Sequence, residues 1–104
     1  MSVASRIALG TAQFGLDYGV TNRAGKVPEE VARAVLARAR VLGIEWLDTA
    51  AAYGTAETVL GRLASPASGF RICTKVVSAA DAGDPIGGAQ RQFEASLARL
   101  GRSG

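Results

Sequence analysis

Apolar residues recur along this chain with two different periods, one typical of strands and one typical of helices. Alternation at every second position predicts three strands, at 6–12, 44–50 and 70–77. Apolar residues three and four positions apart predict three helices, at 28–42, 56–64 and 85–100. Strands and helices therefore alternate, an order that favours a parallel sheet with right-handed crossovers.

The ends of the predicted helices carry their own signals. Pro28 opens the first helix, and Asp84 followed by Pro85 opens the third as a cap and first-position pair. Gly43 and Gly101 follow the last helical turns, where a left-handed glycine commonly ends a helix. These capping residues locate the helix boundaries more closely than the apolar pattern does.

Each helix is expected to bury one apolar stripe against the sheet. In the first helix the spacing selects Val31, Val35, Ala39 and Leu42. In the second, which Thr55 can cap, it selects Val59, Leu60 and Leu63. In the third it selects Ile86, Phe93, Leu97 and Leu100.

The glycine-rich segment at 14–27 has the composition of turns. Within it, G-V-T-N-R-A-G-K at 19–26 is similar to a phosphate-binding loop. The motif requires four residues between its glycines and Ser or Thr after the lysine, whereas here five residues intervene and Val27 follows. The segment is therefore predicted to be a surface loop.

Composition narrows the class of protein. Hydrophobic residues make up 48% of the 104 residues and charged residues 20%, which is typical of a globular chain. The net charge is +3 and the basic residues are dispersed, which argues against nucleic-acid binding. Cys73 is the only cysteine and histidine is absent, so neither a disulfide nor a zinc site is expected.

Two features of the sequence indicate where in the cell the protein is expected. The first residues lack the basic start and apolar core of a signal peptide. The longest uncharged stretch, at 7–16, is about half of what a membrane-spanning helix requires. We therefore expect a cytoplasmic protein that does not enter a membrane.

Three side chains that can ionise lie at or just after the ends of two predicted strands. Asp48 ends the second strand, Tyr53 lies in the connection that leaves it, and Lys75 ends the third strand. Neighbouring parallel strands lie only about 4.8 Å apart, and ligands bind at their carboxyl ends in such folds. We therefore expect the acid, the phenol and the ammonium to meet at one edge of the sheet.

These groups suit proton delivery. A free phenol titrates near pH 10, and an adjacent ammonium favours the phenolate, which makes the phenol a better acid. A carboxylate paired with the lysine would hold the ammonium in place and keep it charged. A proton donor without a nucleophile or metal fits carbonyl reduction, in which a cofactor provides hydride and the alkoxide takes a proton.

Five motifs, in this order, resemble those of the aldo-keto reductases. They are L-G-T-A-Q-F-G at 9–15, D-T-A-A-A-Y-G at 48–54, E-T-V-L-G at 57–61, T-K at 74–75 and S-L-A-R-L-G at 96–101. The resemblance implies the N-terminal part of a (β/α)8 TIM barrel, incomplete as given, with residues 1–104 forming a single partial barrel domain. It also implies NADPH or NADH bound without a Rossmann motif, and reduction of a small aldehyde or ketone to an alcohol.

The resemblance also assigns roles. Tyr53 would be the general acid, Lys75 would assist it, and Asp48 would support Lys75. Gly10 and Thr11 would line the nicotinamide end of the cofactor site. The family's fourth catalytic group is a histidine on the next strand, and this sequence has none. The chain by itself is therefore expected to be inactive.

Two other functions stay open at this stage. Three parallel strands leave two unpaired edges and an uncovered inner face, so the chain could be a non-catalytic fragment or an interaction module that associates through its sheet edges. An independent nucleotide-binding α/β domain ranks last, since the sequence lacks a phosphate loop.

Overall fold

The computed structural model of the protein describes residues 3–16, 26–76 and 83–103. The strands are β1 Ala8–Gly10, β2 Trp46–Asp48 and β3 Arg71–Cys73. The helices are α1 Glu29–Leu42, α2 Ala56–Leu63 and α3 Pro85–Leu100. Short 3-10 turns lie at Val3–Arg6, Ala12–Phe14 and Pro66–Ser68. All six predicted elements are present in the predicted order, but the strands are shorter because only three residues of each are paired.

The strands form one parallel sheet in the order β1-β2-β3, as the alternation of elements predicted. Gly10 is the register partner of Asp48, and Asp48 is the partner of Cys73. The carboxyl ends of all three strands therefore lie side by side. Strand pairing alone therefore brings the side chains at this edge close to one another.

The two faces of the sheet have different environments. Leu47 in the central strand is fully buried beneath the helices. Side chains alternate between the faces of a strand, so its neighbours Trp46 and Asp48 point to the opposite face. Trp46 remains 39% exposed there, and Cys73 is exposed on the same face. The part of the chain that the structure describes is thus a partial barrel whose inner face is open.

The buried stripe of α1 differs from the prediction by one position. Ala32, Leu36 and Ala39 are buried, whereas Val31 and Val35 are 45% and 37% exposed. Leu42 is also exposed. Two overlapping stripes satisfy the helical spacing, and the one rich in alanine faces the sheet because small side chains let the helix approach closely. In α2 the prediction is confirmed, with Val59 and Leu60 buried and Leu63 packed against the core.

The expected stripe of α3 is only partly buried. Leu100 is 2% exposed, but Ile86 is 82% and Phe93 is 48% exposed, so for these two residues the prediction is wrong. Phe93 and Leu97 line a groove between α3 and the free edge of β3. Their spacing is that of a covered helix, but in the described residues no strand lies beside β3 to cover them.

The helix ends largely follow the predicted signals. Gly43 and Gly101 adopt left-handed conformations with φ of 90° and 65°. The Asp84 carboxylate accepts a hydrogen bond from the Gly87 amide at 3.1 Å, which caps α3. Thr55 precedes α2, but its hydroxyl accepts from Lys26 Nζ at 3.1 Å. The predicted surface loop falls largely at 17–25, outside the described residues, as does the end of the third predicted strand at Val77.

The described residues contain neither a helix suited to spanning a membrane nor a cluster of metal-binding side chains. None of their helices combines the length and apolar character needed to cross a bilayer. Among the same residues, no three His, Cys, Asp or Glu side chains gather where they could hold a metal ion.

Candidate active site

Asp48 and Lys75 meet at the carboxyl edge of the sheet. Lys75 Nζ donates a hydrogen bond to Asp48 Oδ1 at 2.9 Å and another to the carbonyl oxygen of Thr49 at 2.8 Å. The backbone reinforces this arrangement, since the Thr49 amide donates to the Cys73 carbonyl at 2.8 Å. The ion pair expected from the sequence is therefore present, and it joins the ends of β2 and β3.

The pair keeps Lys75 protonated. The hydrogen bond to Asp48 raises the pKa of Lys75 above its usual value, against the opposing effect of partial burial, with further help from the charges of Asp48, Tyr53 and Cys73. A lysine whose folded pKa is raised stabilises the fold below its unfolded pKa, and that contribution is lost as the pH rises through the folded value. At neutral pH the ammonium is thus fully charged.

Tyr53 lies beside this pair. Lys75 Nζ is 5.3 Å from the centroid of the Tyr53 ring, within the range of a cation–π contact. The tyrosine is half-buried and packs against the hydrophobic core. Its amide donates to the Ala50 carbonyl at 3.1 Å, and its own carbonyl accepts from the Ala56 amide at 3.0 Å. The phenol is therefore carried on a turn tied at both ends.

Two glycines hold that turn against the segment after β1. A Cβ on Gly15 would overlap the Tyr53 carbonyl oxygen and the Ala56 amide nitrogen. Gly54 has φ of 56° and directly faces the Gly15 carbonyl. No role was predicted for Gly15, although it ends the L-G-T-A-Q-F-G motif and is the first glycine of the glycine-rich segment. The structure shows that it allows the Tyr53 turn to approach.

Gly10 and Thr11 lie on opposite sides of the first strand end. Gly10 is exposed on the open face next to Asp48, and a Cβ there would meet none of the described atoms within 4 Å. Thr11 is fully buried, and its hydroxyl and amide both donate to the Asp48 carbonyl, at 2.9 and 3.0 Å. Gly10 thus leaves open space beside the acid, while Thr11 anchors the backbone that carries it.

Glu57 is a buried carboxylate that the sequence analysis missed. It is 1% exposed, Thr74 Oγ1 donates to its Oε2 at 2.6 Å, and Arg99 approaches its Oε1 at 2.7 Å. Burial acts to raise the pKa of Glu57, but hydrogen bonds from Thr74, Ser96 and Arg99 and the Arg99 charge hold it below its usual value. A signal was available, because Glu57 lies among apolar residues that the helical spacing buries.

A groove of about 500 Å³ runs along the free edge of β3. Its walls are mainly apolar and include Trp46, Ile72, Phe93 and Leu97. Arg102 lies at its border, where one guanidinium nitrogen donates to the Ala64 carbonyl at 2.7 Å. The groove is next to the candidate active site, since Cys73 and Thr74 also line it.

Replacing Asp48 should weaken the hold on Lys75. We expect Asp48→Asn to lower the pKa of Lys75, because a neutral amide oxygen replaces the carboxylate whose hydrogen bond and charge raise it. Lys26 and Lys75 are the only lysines of the sequence, so side-chain ¹³C NMR titration needs only two signals, which Lys26→Arg assigns.

Asp84→Asn is a matched control for this measurement. Asp84 caps α3 and has no contact with Lys75 among those described, so its replacement should leave the Lys75 titration unchanged. An unchanged Lys75 pKa in Asp48→Asn would contradict the ion pair.

The fold and this site define part of a parallel (β/α) barrel, with a carboxylate, a lysine and a phenol at its carboxyl edge. A model of the aldo/keto reductase family matches residues 6–103. The chain therefore belongs to the aldo-keto reductase family.

Solved structures agree with this assignment. The chain is similar to a candidate aldo-keto reductase from Pseudomonas aeruginosa, with 36% identity and a TM-score of 0.70 over 91% of this chain. A second structure from the same organism gives 34% identity, a TM-score of 0.70 and the same coverage. The chain spans only 38% and 36% of the length of these two proteins. No curated protein matches it.

Proposed function

We propose that the complete protein reduces a small aldehyde or ketone to an alcohol with NADPH or NADH, and that Tyr53 donates the proton. The observation that carries this proposal is the Lys75–Asp48 ion pair, 2.9 Å long, with the Lys75 ammonium beside the Tyr53 ring. Family membership supports the reaction type, and the site geometry supports the residue roles.

Proton donation leaves a negative charge on the Tyr53 oxygen. The Lys75 ammonium lies 5.3 Å from the centroid of the Tyr53 ring, and a cation near a phenol favours its charged form. Asp48 and the Thr49 carbonyl hold the ammonium from the other side, so it does not have to reorganise during the reaction. Tyr53 is thus the catalytic acid, Lys75 its electrostatic partner, and Asp48 the support for Lys75.

The open face fits a flat ring bound next to these groups. Gly10 has no side chain to obstruct that face, and it lies in register with Asp48. We place the nicotinamide end of the cofactor there, beside Gly10 and the Thr11 backbone. When bound, the cofactor supplies the hydride that adds to the substrate carbonyl carbon.

Cofactor binding can be tested through Trp46, which is half-exposed on the same face. Addition of NADPH or NADH to the complete protein should quench the fluorescence component that Trp46→Phe removes. The cofactor that gives half-maximal quenching at the lower concentration is the preferred one. Absence of both quenching and carbonyl-dependent cofactor oxidation would refute the proposed function.

The groove at the β3 edge supports a second proposal, that this chain is one part of a larger barrel domain. We propose that a further strand occupies the groove, namely the next strand of the complete barrel, with residues 1–104 as the first part of one domain. Its apolar walls and the free edge of β3 are complementary to a strand. The coverage of only 38% of a matched chain also supports this view. The chain alone would then be inactive and prone to associate through its edges.

The fluorescence of Trp46 also tests whether a strand occupies the groove. In the complete protein we expect its emission to lie at shorter wavelength than in the 104-residue chain, and acrylamide to quench it less, because a strand in the groove excludes water. The Trp46 contribution is isolated as the difference from Trp46→Phe. Equal emission and quenching in both proteins would contradict occupation of the groove.

A reducing compartment such as the cytoplasm is consistent with this function. Cys73 is the only cysteine of the sequence, and its exposed thiol lies on the open face next to the candidate site.

A further inference from the structure

Glu57 stands out among the buried groups because its two oxygens bind different parts of the molecule. Oε1 is bound by Arg99 of α3, through contacts of 2.7 Å from two guanidinium nitrogens. Oε2 accepts the Thr74 hydroxyl at 2.6 Å. Oε1 thus links α2 to α3 through Arg99. Oε2 links α2 to Thr74, the residue before Lys75.

That segment has few other restraints. β3 ends at Cys73, so Thr74 and Lys75 lie beyond the paired ladder. The only interstrand backbone bond described for Lys75 is the one that its carbonyl accepts from the Ala51 amide, at 3.3 Å. Val76, the next residue, is 46% exposed. The short bond from Thr74 to a buried carboxylate is therefore the main anchor of this segment on its helix side.

The bond between Thr74 and Glu57 influences the position of the Lys75 ammonium. Thr74 and Lys75 are consecutive, so their side chains leave opposite sides of the extended chain. Fixing Thr74 against Glu57 beneath the sheet directs Lys75 towards Asp48 and Tyr53 on the other side. If the anchor were lost, the position of the ammonium would depend on its own bonds to Asp48 and Thr49 and on the 3.3 Å backbone bond from Ala51.

We propose that Glu57 is a positioning residue for the reductase site, which acts through the Thr74 hydroxyl to hold Lys75 against Asp48 and Tyr53. This inference rests on the proposed function for its kinetic consequence, but the placement of Lys75 can be measured without any reaction. Glu57 is buried beneath the sheet and reaches the site only through Thr74, so it is a positioning residue and not a catalytic one.

The buried charge is suited to this task. A hydrogen bond to an ionised acceptor is shorter and about twice as strong as a neutral one. The bond network holds the pKa of Glu57 below its usual value, so the carboxylate is ionised throughout the neutral range. A neutral amide at this position would hold Thr74 less firmly and would leave the Arg99 charge without its buried partner.

The decisive variants are at Thr74, because Glu57→Gln could fail to fold when Arg99 loses its partner. Thr74→Val keeps the shape of the side chain and removes only the hydroxyl, and Thr74→Ser restores it. In the complete reductase, Thr74→Val should lower kcat about 10-fold to 100-fold with KM nearly unchanged, since displacing a catalytic group by about 1 Å costs up to 10²-fold. Thr74→Ser should return kcat to within about threefold of the wild type.

A second readout follows Lys75 itself. In Thr74→Val the Lys75 pKa should fall towards its ordinary value, as the Lys75–Asp48 bond lengthens, and Thr74→Ser should restore it. The titration follows the Lys75 ¹³C NMR signal of the 104-residue sequence, in which Lys26 gives the one other lysine signal. This measurement does not require catalysis, so it decides the positioning role even if the protein proves not to be a reductase.

Val59→Ala is the matched control for a purely structural effect. It removes buried volume from the same helix as Glu57 and lowers stability, but it leaves the Thr74–Glu57 bond intact. Assayed well below its melting temperature, it should retain the wild-type kcat and Lys75 titration. The proposal is overturned if Thr74→Val behaves like Val59→Ala, with a lower melting temperature but unchanged kcat and Lys75 pKa.

Discussion

Tyr53→Phe is expected to reduce kcat for carbonyl reduction by the complete barrel about 10²- to 10⁴-fold, the usual contribution of a general acid. The substitution removes only the phenolic oxygen and keeps the ring that packs against the core beside Lys75. Stability and cofactor affinity should therefore stay close to those of the wild type. Steady-state kinetics together with cofactor titration would separate the loss of proton donation from a loss of binding.

Tyr18→Phe, at the other tyrosine of this sequence, provides the matched control and should keep the wild-type kcat. If Tyr53→Phe turns over at the wild-type rate, Tyr53 is not the proton donor and the proposed mechanism is wrong. A rise in KM with kcat unchanged would instead assign Tyr53 to substrate binding.

Gly15→Ala is expected to destabilise the protein by about 1–3 kcal/mol, the usual cost of inserting a methyl group into a closely packed site. The added Cβ would overlap backbone atoms of Tyr53 and Ala56, which cannot rotate away as a flexible side chain can. The Tyr53 turn must therefore move, so we expect a loss of activity along with a lower melting temperature. Thermal unfolding and kcat of the same preparation measure the two effects.

Gly83→Ala is the matched control for that change. A Cβ on Gly83 would meet none of the described atoms within 4 Å, and the residue immediately precedes the cap of α3. It should leave both stability and activity close to the wild type. Equal stability of Gly15→Ala and Gly83→Ala would show that the close approach of Gly15 to the Tyr53 turn is not required.

Much of the site could be predicted from the sequence because it depends on local signals. Asp48 and Lys75 each follow a short alternating run, and parallel strands place such positions side by side. The helix ends at Gly43 and Gly101 were equally clear, since a left-handed residue is needed there and glycine adopts it at no steric cost.

Other features could not be predicted because they depend on contacts between distant segments. The choice between the Val31 and Ala32 stripes of α1 is set by how closely the helix approaches the sheet. The exposure of Phe93 reflects the free edge of β3 beside it. The burial of Glu57 requires Thr74 and Arg99, which are 17 and 42 residues away, to converge on one carboxylate.

By itself, the sequence determined the order of strands and helices, the parallel sheet and the chemical groups at its carboxyl edge. Periodicity and capping act over a few residues, and for that reason they can be read along the chain. Only the tertiary structure decided which helix faces are buried, how Gly15 supports the Tyr53 turn and that Glu57 anchors the segment carrying Lys75. These features depend on distances between atoms that are remote in sequence, and no local pattern specifies such distances.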